Sequence, residues 1–262
     1  MCFIVKRGVA LNKLSIGERQ RQITRLIVEQ GSVAVRELSQ RFGVSTETIR
    51  KDLLALEKQK VISKGHGDAT LSSTYLENPF HQKIDRNVEA KNRIAERAME
   101  MIPEQGVVFL DSGSTMMYLA KLLNLKTGLV IVTNSLSSAQ VLSNTENQLL
   151  VTGGELRSKS LSFVGSWALN SIAGVRADIA FIGCDGFHSD GPSIRSYREL
   201  EIKQRMIGNA KKAVLLCDSS KLQAEGLYAF ATFQQFECLI TDKQLPPQAE
   251  QEFANKITLV LA

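Results

Sequence analysis

Five short polar clusters follow apolar runs in the later part of the chain: Asp111-Ser112-Gly113-Ser114-Thr115, Thr133-Asn134-Ser135, Thr152-Gly153-Gly154, Cys184-Asp185-Gly186 and Cys217-Asp218-Ser219-Ser220-Lys221. Hydroxyls, a glycine that permits a tight turn and the free N–H groups of a helix start together make a cradle for phosphate. Carboxylates and the Asn134 amide suit sugar hydroxyls, and Arg157, Lys203 and Lys221 supply cations. Any one cluster has the ordinary composition of a turn. Five of them after successive strands point to a small-molecule site, and the chemistry on offer is that of a phosphorylated polyol. No GxGxxG follows a strand and no GxxxxGK[ST] occurs, so dinucleotides and nucleoside triphosphates are not expected. The same residues permit a second reading, a sugar-phosphate isomerase-like enzyme with an accessory nucleic-acid-binding domain, with Asp111, Asp185, Glu199 and Lys203 as acid and base.

The elements that must hold these clusters alternate. The pattern predicts helices over Ala90–Met101, Thr115–Leu123, Leu136–Leu142, Ala168–Ser171 and Glu199–Asn209. It predicts strands over Val107–Leu110, Val130–Val132, Gln148–Val151, Ile179–Ile182, Ala213–Leu216 and Cys238–Thr241. Such alternation implies an α/β domain with a largely parallel sheet covered on both faces, in which ligands bind at the carboxyl ends of the strands.

A second group of residues suits different chemistry. After a helix over Gly17–Glu29, residues Arg36 to Phe42 read as a short helix with apolar face Val35, Leu38 and Phe42, and Gly43-Val44-Ser45 as a three-residue turn. Gly43 can adopt the positive φ required, and Ser45 is a good N-cap for the next helix, which runs to Gln59. There Ile49, Leu53 and Leu56 form one buried stripe, while at about 100° per residue Glu47 and Lys51 point away from it with Thr48 and Arg50 on its flanks. Short hydroxyls and long cations at a helix N-terminus suit the major groove of double-stranded DNA, which makes Ser45, Thr46, Thr48, Arg50 and Lys51 the candidate contacts. Val61 to Gly67 reads as a wing, with Lys64 and His66 as its phosphate contacts.

Charge follows the same division. Up to Thr70 there are 13 Lys and Arg against 7 Asp and Glu, a net of +6, whereas the whole chain of 262 residues has +5. Basic charge is therefore concentrated where phosphates would lie. The chain divides into an N-terminal winged helix-turn-helix domain over 15–71, a linker over 72–88 that carries a Pro and many polar residues, and an effector domain over 89–262. Residues 1–14 receive no function. With 44% hydrophobic and 23% charged residues, apolar runs far below membrane-span length, and an N-terminus whose cations follow rather than precede its apolar stretch, a cytoplasmic protein with no membrane partner is expected. Cys2, Cys184, Cys217 and Cys238 lack paired spacing, and His66, His81 and His188 are scattered, so neither a disulfide framework, a metal nor another cofactor is expected.

Ordered motifs then carry a resemblance. ERQRQI at Glu18–Ile23, the VRELSQRFGVSTETIRKDLLALE run ending at Glu57, HGDA at His66–Ala69, LDSGST at Leu110–Thr115, TNS at Thr133–Ser135, TGGELR at Thr152–Arg157, GCDG at Gly183–Gly186, the Glu199 and Lys203 pair and DSSK at Asp218–Lys221 resemble the DeoR family of bacterial regulators of sugar metabolism. The resemblance implies a C-terminal sensor fold similar to phosphosugar isomerases, a phosphorylated sugar effector, transcriptional repression relieved by it, and a homo-oligomer. It also places Ser193 and Glu199 at the effector site, with Ser193 standing where the family has a threonine. Asp68 replaces a usual wing glycine, and Arg195 and Arg198 add cations beside the expected pocket. The isomerases of similar fold carry a second acidic pair where Phe187 and His188 stand here, which disfavours catalysis.

Overall fold

The computed structural model describes residues 14–30, 32–58, 62–64, 68–71 and 77–262. Two compact units divide at 76/77. The expected wing contact His66, the thiol of Cys2 and linker residues 72–76 lie outside the described residues, as does the side chain of Lys64.

In the first unit the order is α1 (Ile16–Gln30), β1 (Ser32–Ala34), α2 (Val35–Phe42), α3 (Thr46–Lys58), β2 (Ile62–Lys64) and β3 (Asp68–Leu71). The three strands form an antiparallel sheet in the order β1-β3-β2. The turn before α3 forms for the reasons read in the sequence. Gly43 sits at φ 62°, ψ 31°, a left-handed conformation that closes α2. The Ser45 hydroxyl accepts the Thr48 N–H at 3.1 Å and caps α3. Ile49, Leu53 and Leu56 then meet Ile23, Ile27, Val33 and Leu38 in one apolar core. Asp52, beside that stripe, was not anticipated. It is buried and accepts a two-pronged contact from Arg19 on α1, Nε to Oδ2 at 2.6 Å and Nη2 to Oδ1 at 3.2 Å. In the wing, Asp68 opens β3 opposite Ala34, so its backbone pairs into the sheet.

The second unit is built on seven parallel strands: β4 (Gly106–Leu110), β5 (Leu129–Thr133), β6 (Gln148–Val151), β9 (Ala177–Gly183), β12 (Ala210–Leu216), β14 (Cys238–Thr241) and β15 (Leu259–Leu261). Their spatial order is β15-β14-β12-β9-β4-β5-β6. A hairpin of β7 (Glu155–Arg157) and β8 (Ser162–Val164), and a small antiparallel sheet of β10 (Gly186–Phe187), β11 (Pro192–Ile194) and β13 (Tyr228–Ala229), are separate from the main sheet. Helices are α4 (Phe80–Ile84), α5 (Val88–Met99), α6 (Ser114–Leu123), α7 (Leu136–Val141), α8 (Ser166–Ala173), α9 (Leu200–Gly208) and α10 (Pro247–Ala254).

Successive side chains of a strand face opposite ways, and the sheet uses both directions. Phe109, Ala180, Ile182 and Leu215 join Ile172, Ile202 and Met206 on one face. Val108, Leu110, Phe181 and Val214 join Ile94, Met116 and Leu119 on the other. The α/β architecture is thus the one the alternation predicts. Its departures are local. α10, β15 and the short strands β7, β8, β10, β11 and β13 carry too few residues to show a period. The stretch assigned to the linker is helical over Phe80–Ile84, and Phe80 is buried in the second unit's core. At the other extreme Trp167 on α8 is 77% exposed. Among the described residues no helix is long and apolar enough to cross a membrane.

Candidate effector site and DNA-reading helix

The carboxyl ends of β4 and β9 are neighbours in the sheet, with Leu110 paired to Phe181. This brings Asp111 and Gly183 together, and the Gly183 N–H donates to Asp111 Oδ2 at 3.0 Å. Lys203, one turn into α9, donates to the same Asp111 oxygen and to the Gly183 carbonyl at 3.0 Å. The pair is buried. Burial disfavours the Lys203 ammonium, but Asp111 and then Glu199 outweigh it and hold its pKa above the usual lysine value. Asp111 Oδ1 is buried with no hydrogen-bond partner among the described residues. Gly113, at φ 138°, turns the chain so that α6 begins at Ser114, with Ser114 and Thr115 buried at its first turn.

A second group of charges closes over this one. Arg157, at the end of β7, donates Nη1 to Glu77 Oε1 at 3.1 Å and Nη2 to Glu77 Oε2, and Nη1 also reaches Ser160 Oγ at 2.9 Å. Ser162 Oγ donates to Glu199 Oε1 at 2.7 Å, and Arg157 stands 3.8 Å from that carboxylate. Lys83 on α4 donates to Asp185 Oδ1 at 3.0 Å and lies 3.7 Å from Glu77. Asp185 Oδ2 accepts the Arg195 N–H at 3.1 Å. Burial pushes the Asp185 carboxyl up, but Lys83 and Lys221 more than reverse it and hold it well below the usual carboxylate range. Lys91, buried on α5, donates to the carbonyls of Lys83 and Arg86 and so fixes the end of α4.

Glu77, Phe80, Lys83, Gly113, Asp185, Glu199 and Lys203 line a cavity of about 50 Å³. That is room for one or two waters, well short of a phosphosugar. The sequence reading missed Glu77, Lys83 and Ser160 because they lie in segments without periodicity. Several of the residues expected at the ligand have structural partners within the unit. Ser135 Oγ caps α7 by accepting the Ser138 N–H at 3.1 Å. Ser193 Oγ accepts the Gly226 N–H at 2.8 Å. Gly153 and Gly154 form a turn at φ 61° and 108°, and a Cβ on Gly154 would stand 2.7 Å from the Val164 carbonyl. Asn134 is fully buried and donates to Phe163 O at 3.4 Å. Lys221 sits in a single 3₁₀ turn, Ser219–Lys221, and acts on Asp185 by charge alone. Arg198, expected beside the pocket, instead pairs on the surface with Glu155 at 2.5 Å. Phe187 packs at 4.8 Å centroid distance against Phe253.

On α3 the opposite holds. Ser45, Arg50 and Lys51 are exposed and Thr46 and Thr48 half-buried. Among the described residues Arg50 meets Glu47 at 3.7 Å, on the same open face. The Ser45 hydroxyl is engaged in capping and in a 2.9 Å contact with Thr48 Oγ1.

Residues 19–74 match the DeoR-like helix-turn-helix domain, and residues 86–243 match the DeoR C terminal sensor domain. A DNA-reading helical unit joined to an α/β sensor unit defines a transcriptional regulator. The chain belongs to the DeoR family. The glycerol-3-phosphate regulon repressor of Escherichia coli strain K12 is 33% identical over 236 residues, covering 89% of this chain and 94% of that protein. The lactose phosphotransferase system repressor of Streptococcus mutans is 33% identical over 232 residues, covering 87% and 92%. Among solved structures, ribose 5-phosphate isomerase A from Methanocaldococcus jannaschii aligns with 52% of this chain and 55% of its own at a TM-score of 0.38 and 20% identity.

Proposed function

We propose that this regulator represses a sugar uptake or catabolism operon and that a phosphorylated sugar bound in the crevice relieves the repression. Relatives that carry the names of glycerol-3-phosphate and lactose phosphotransferase repressors support the sugar reading. The observation that carries the effector assignment is the convergence of Lys83 and Lys203 on a glycine-led helix start, with Arg157 held on the lining residue Glu77 and Asp111 Oδ1 without a hydrogen-bond partner among the described residues. Cations and the N-terminus of α6 would hold the phosphate, and Asp185, Glu199 and Asp111 the hydroxyls. The exposed face of α3, from Thr46 to Lys51, would read the major groove of operator DNA, with the wing on the backbone. A homo-oligomer in the cytoplasm, presenting two such helices to paired half-sites, fits this mode of reading. In this assignment 15–71 reads DNA, 89–262 senses, and 72–88 connects them.

Titrating the protein onto promoter DNA at several salt concentrations tests the first half. Affinity is expected to fall steeply with salt while a site preference persists, and a flat salt dependence without preference would refute it. A thermal-shift series against sugar phosphates tests the second half. The true effector is expected to stabilise the protein by about 3 kcal/mol at a hundredfold excess over its Kd and to weaken operator binding.

A further inference from the structure

We infer that Glu77 is an intramolecular ligand: its carboxylate occupies the anion subsite made by Arg157 and Lys83, and the effector's phosphate must expel it. The inference rests on the phosphosugar reading of the crevice and adds to it a named competitor and a named subsite.

Glu77 meets Arg157 fork to fork, through both guanidinium Nη atoms and both carboxylate oxygens, and stands 3.7 Å from Lys83. This is the geometry in which arginine recognises a phosphate. Glu77 and Arg157 are separated by 80 positions in sequence, and the Glu77 side chain is 5% exposed. An acid near a connector between two units would ordinarily be solvated, so its burial on a cation of the crevice calls for an explanation. Space gives the same answer. The cavity of about 50 Å³ has Glu77 in its wall and Arg157 behind Glu77, so moving that side chain out would enlarge it towards Arg157.

The exchange is favourable in charge. A carboxylate brings one negative charge and two acceptor oxygens, whereas a phosphate monoester brings roughly −1.5 to −2 and three. Both compete for the same cations. The anchor of the segment lies just beyond. Phe80 is buried in the second unit's core, and its N–H donates to the Lys159 carbonyl at 2.9 Å. Expulsion of Glu77 therefore frees residues 77–79 and stops at Phe80. Those residues lie on the covalent path from β3 of the reading unit to the sensor core, so ligand binding would move the first side chain fixed in the sensor unit from Glu77 to Phe80.

The test uses the full-length protein, inorganic phosphate as probe, and two readouts. Calorimetry compares phosphate affinity of the wild type with Glu77→Gln and Arg157→Gln. If Glu77 holds the subsite in nine molecules of ten, removing its charge is expected to tighten phosphate binding about tenfold, and Arg157→Gln is expected to abolish it. The second readout is cleavage of the Glu77–Asn78 bond by a glutamyl endopeptidase, normalised to an unstructured peptide in the same buffer. That enzyme must take the glutamate side chain into its own pocket, so wild-type cleavage is expected to be slow without phosphate and to accelerate with it. It is expected to be fast without phosphate in Arg157→Gln. Equal affinities for wild type and Glu77→Gln, with cleavage indifferent to bound phosphate, would overturn the inference and leave the anion site standing. No phosphate binding by either protein would overturn the site reading, and the inference with it. The cleavage arm in the wild type stands even if a variant fails to fold.

Discussion

The face of α3 and the crevice of the sensor unit use the same residue types to opposite effect. On α3, Arg50 and Lys51 are exposed, and among the described residues the acid that Arg50 meets is Glu47, itself exposed. In the crevice three cations are each matched by an acid of the same chain: Lys203 by Asp111, Arg157 by Glu77 and Lys83 by Asp185. Charges in water cost little to leave unpaired, and charges out of water cost several kcal/mol unless paired. The face of α3 is therefore open to phosphates as it stands, whereas a ligand entering the crevice would have to exchange an internal partner for an external one.

Substitutions test how far this contrast reaches. The largest effect is expected from Lys203→Met, which leaves Asp111 buried and alone. Urea denaturation of the sensor unit should show a loss of about 3–5 kcal/mol, part of it restored when Asp111→Leu is added. A loss below about 1 kcal/mol would mean that the crevice tolerates bare charge as α3 does. Next comes Lys51→Ala, expected to weaken operator binding by about 1–3 kcal/mol while changing stability by under about 0.5 kcal/mol. A stability loss without an affinity loss would make that face structural. Ser45→Ala should cost about 1 kcal/mol of stability in the reading unit, read by thermal melting, through loss of the cap on α3.

The smallest effect concerns a half-buried acid of the sensor sheet. Asp178 accepts from Lys211 Nζ at 2.8 Å and from the Val107 N–H at 2.9 Å, and these two hydrogen bonds hold its pKa below the ordinary value. A depressed carboxyl adds stability above its unfolded pKa and loses it as pH falls. Asp178→Asn should therefore cost less than about 1 kcal/mol at neutral pH, and the gap should close below about pH 4. If it stayed constant down to pH 2, burial and not charge would be the source.

What the sequence disclosed follows the range of the contacts involved. Gly43, Ser45 and the stripe Ile49, Leu53 and Leu56 act on neighbours within a few residues, so their roles show in spacing. The parallel sheet was legible because each strand announces itself by composition, and the polar residues after each strand mark one edge. Partners within that edge were not legible. Lys83 meets Asp185 across 102 positions and Arg19 meets Asp52 across 33, and no local pattern records either. Hydroxyl types are ambiguous for a related reason. A serine after a strand is equally apt for a ligand and for a cap, and Ser135 is a cap because the chain happens to begin α7 there. Glu77 and Lys83 were read as linker because an aperiodic stretch with a proline looks solvated. Burial of Phe80 is what ties it down.

Trp167 is the chain's single tryptophan, and it stands 77% exposed on α8. The intrinsic emission of the protein therefore comes from one indole in water. Ligand entry at the crevice should leave its colour unchanged. A shift to shorter wavelength on raising protein concentration, or on adding operator, would instead show that another surface has come to cover α8, an optical reading of assembly that needs no label.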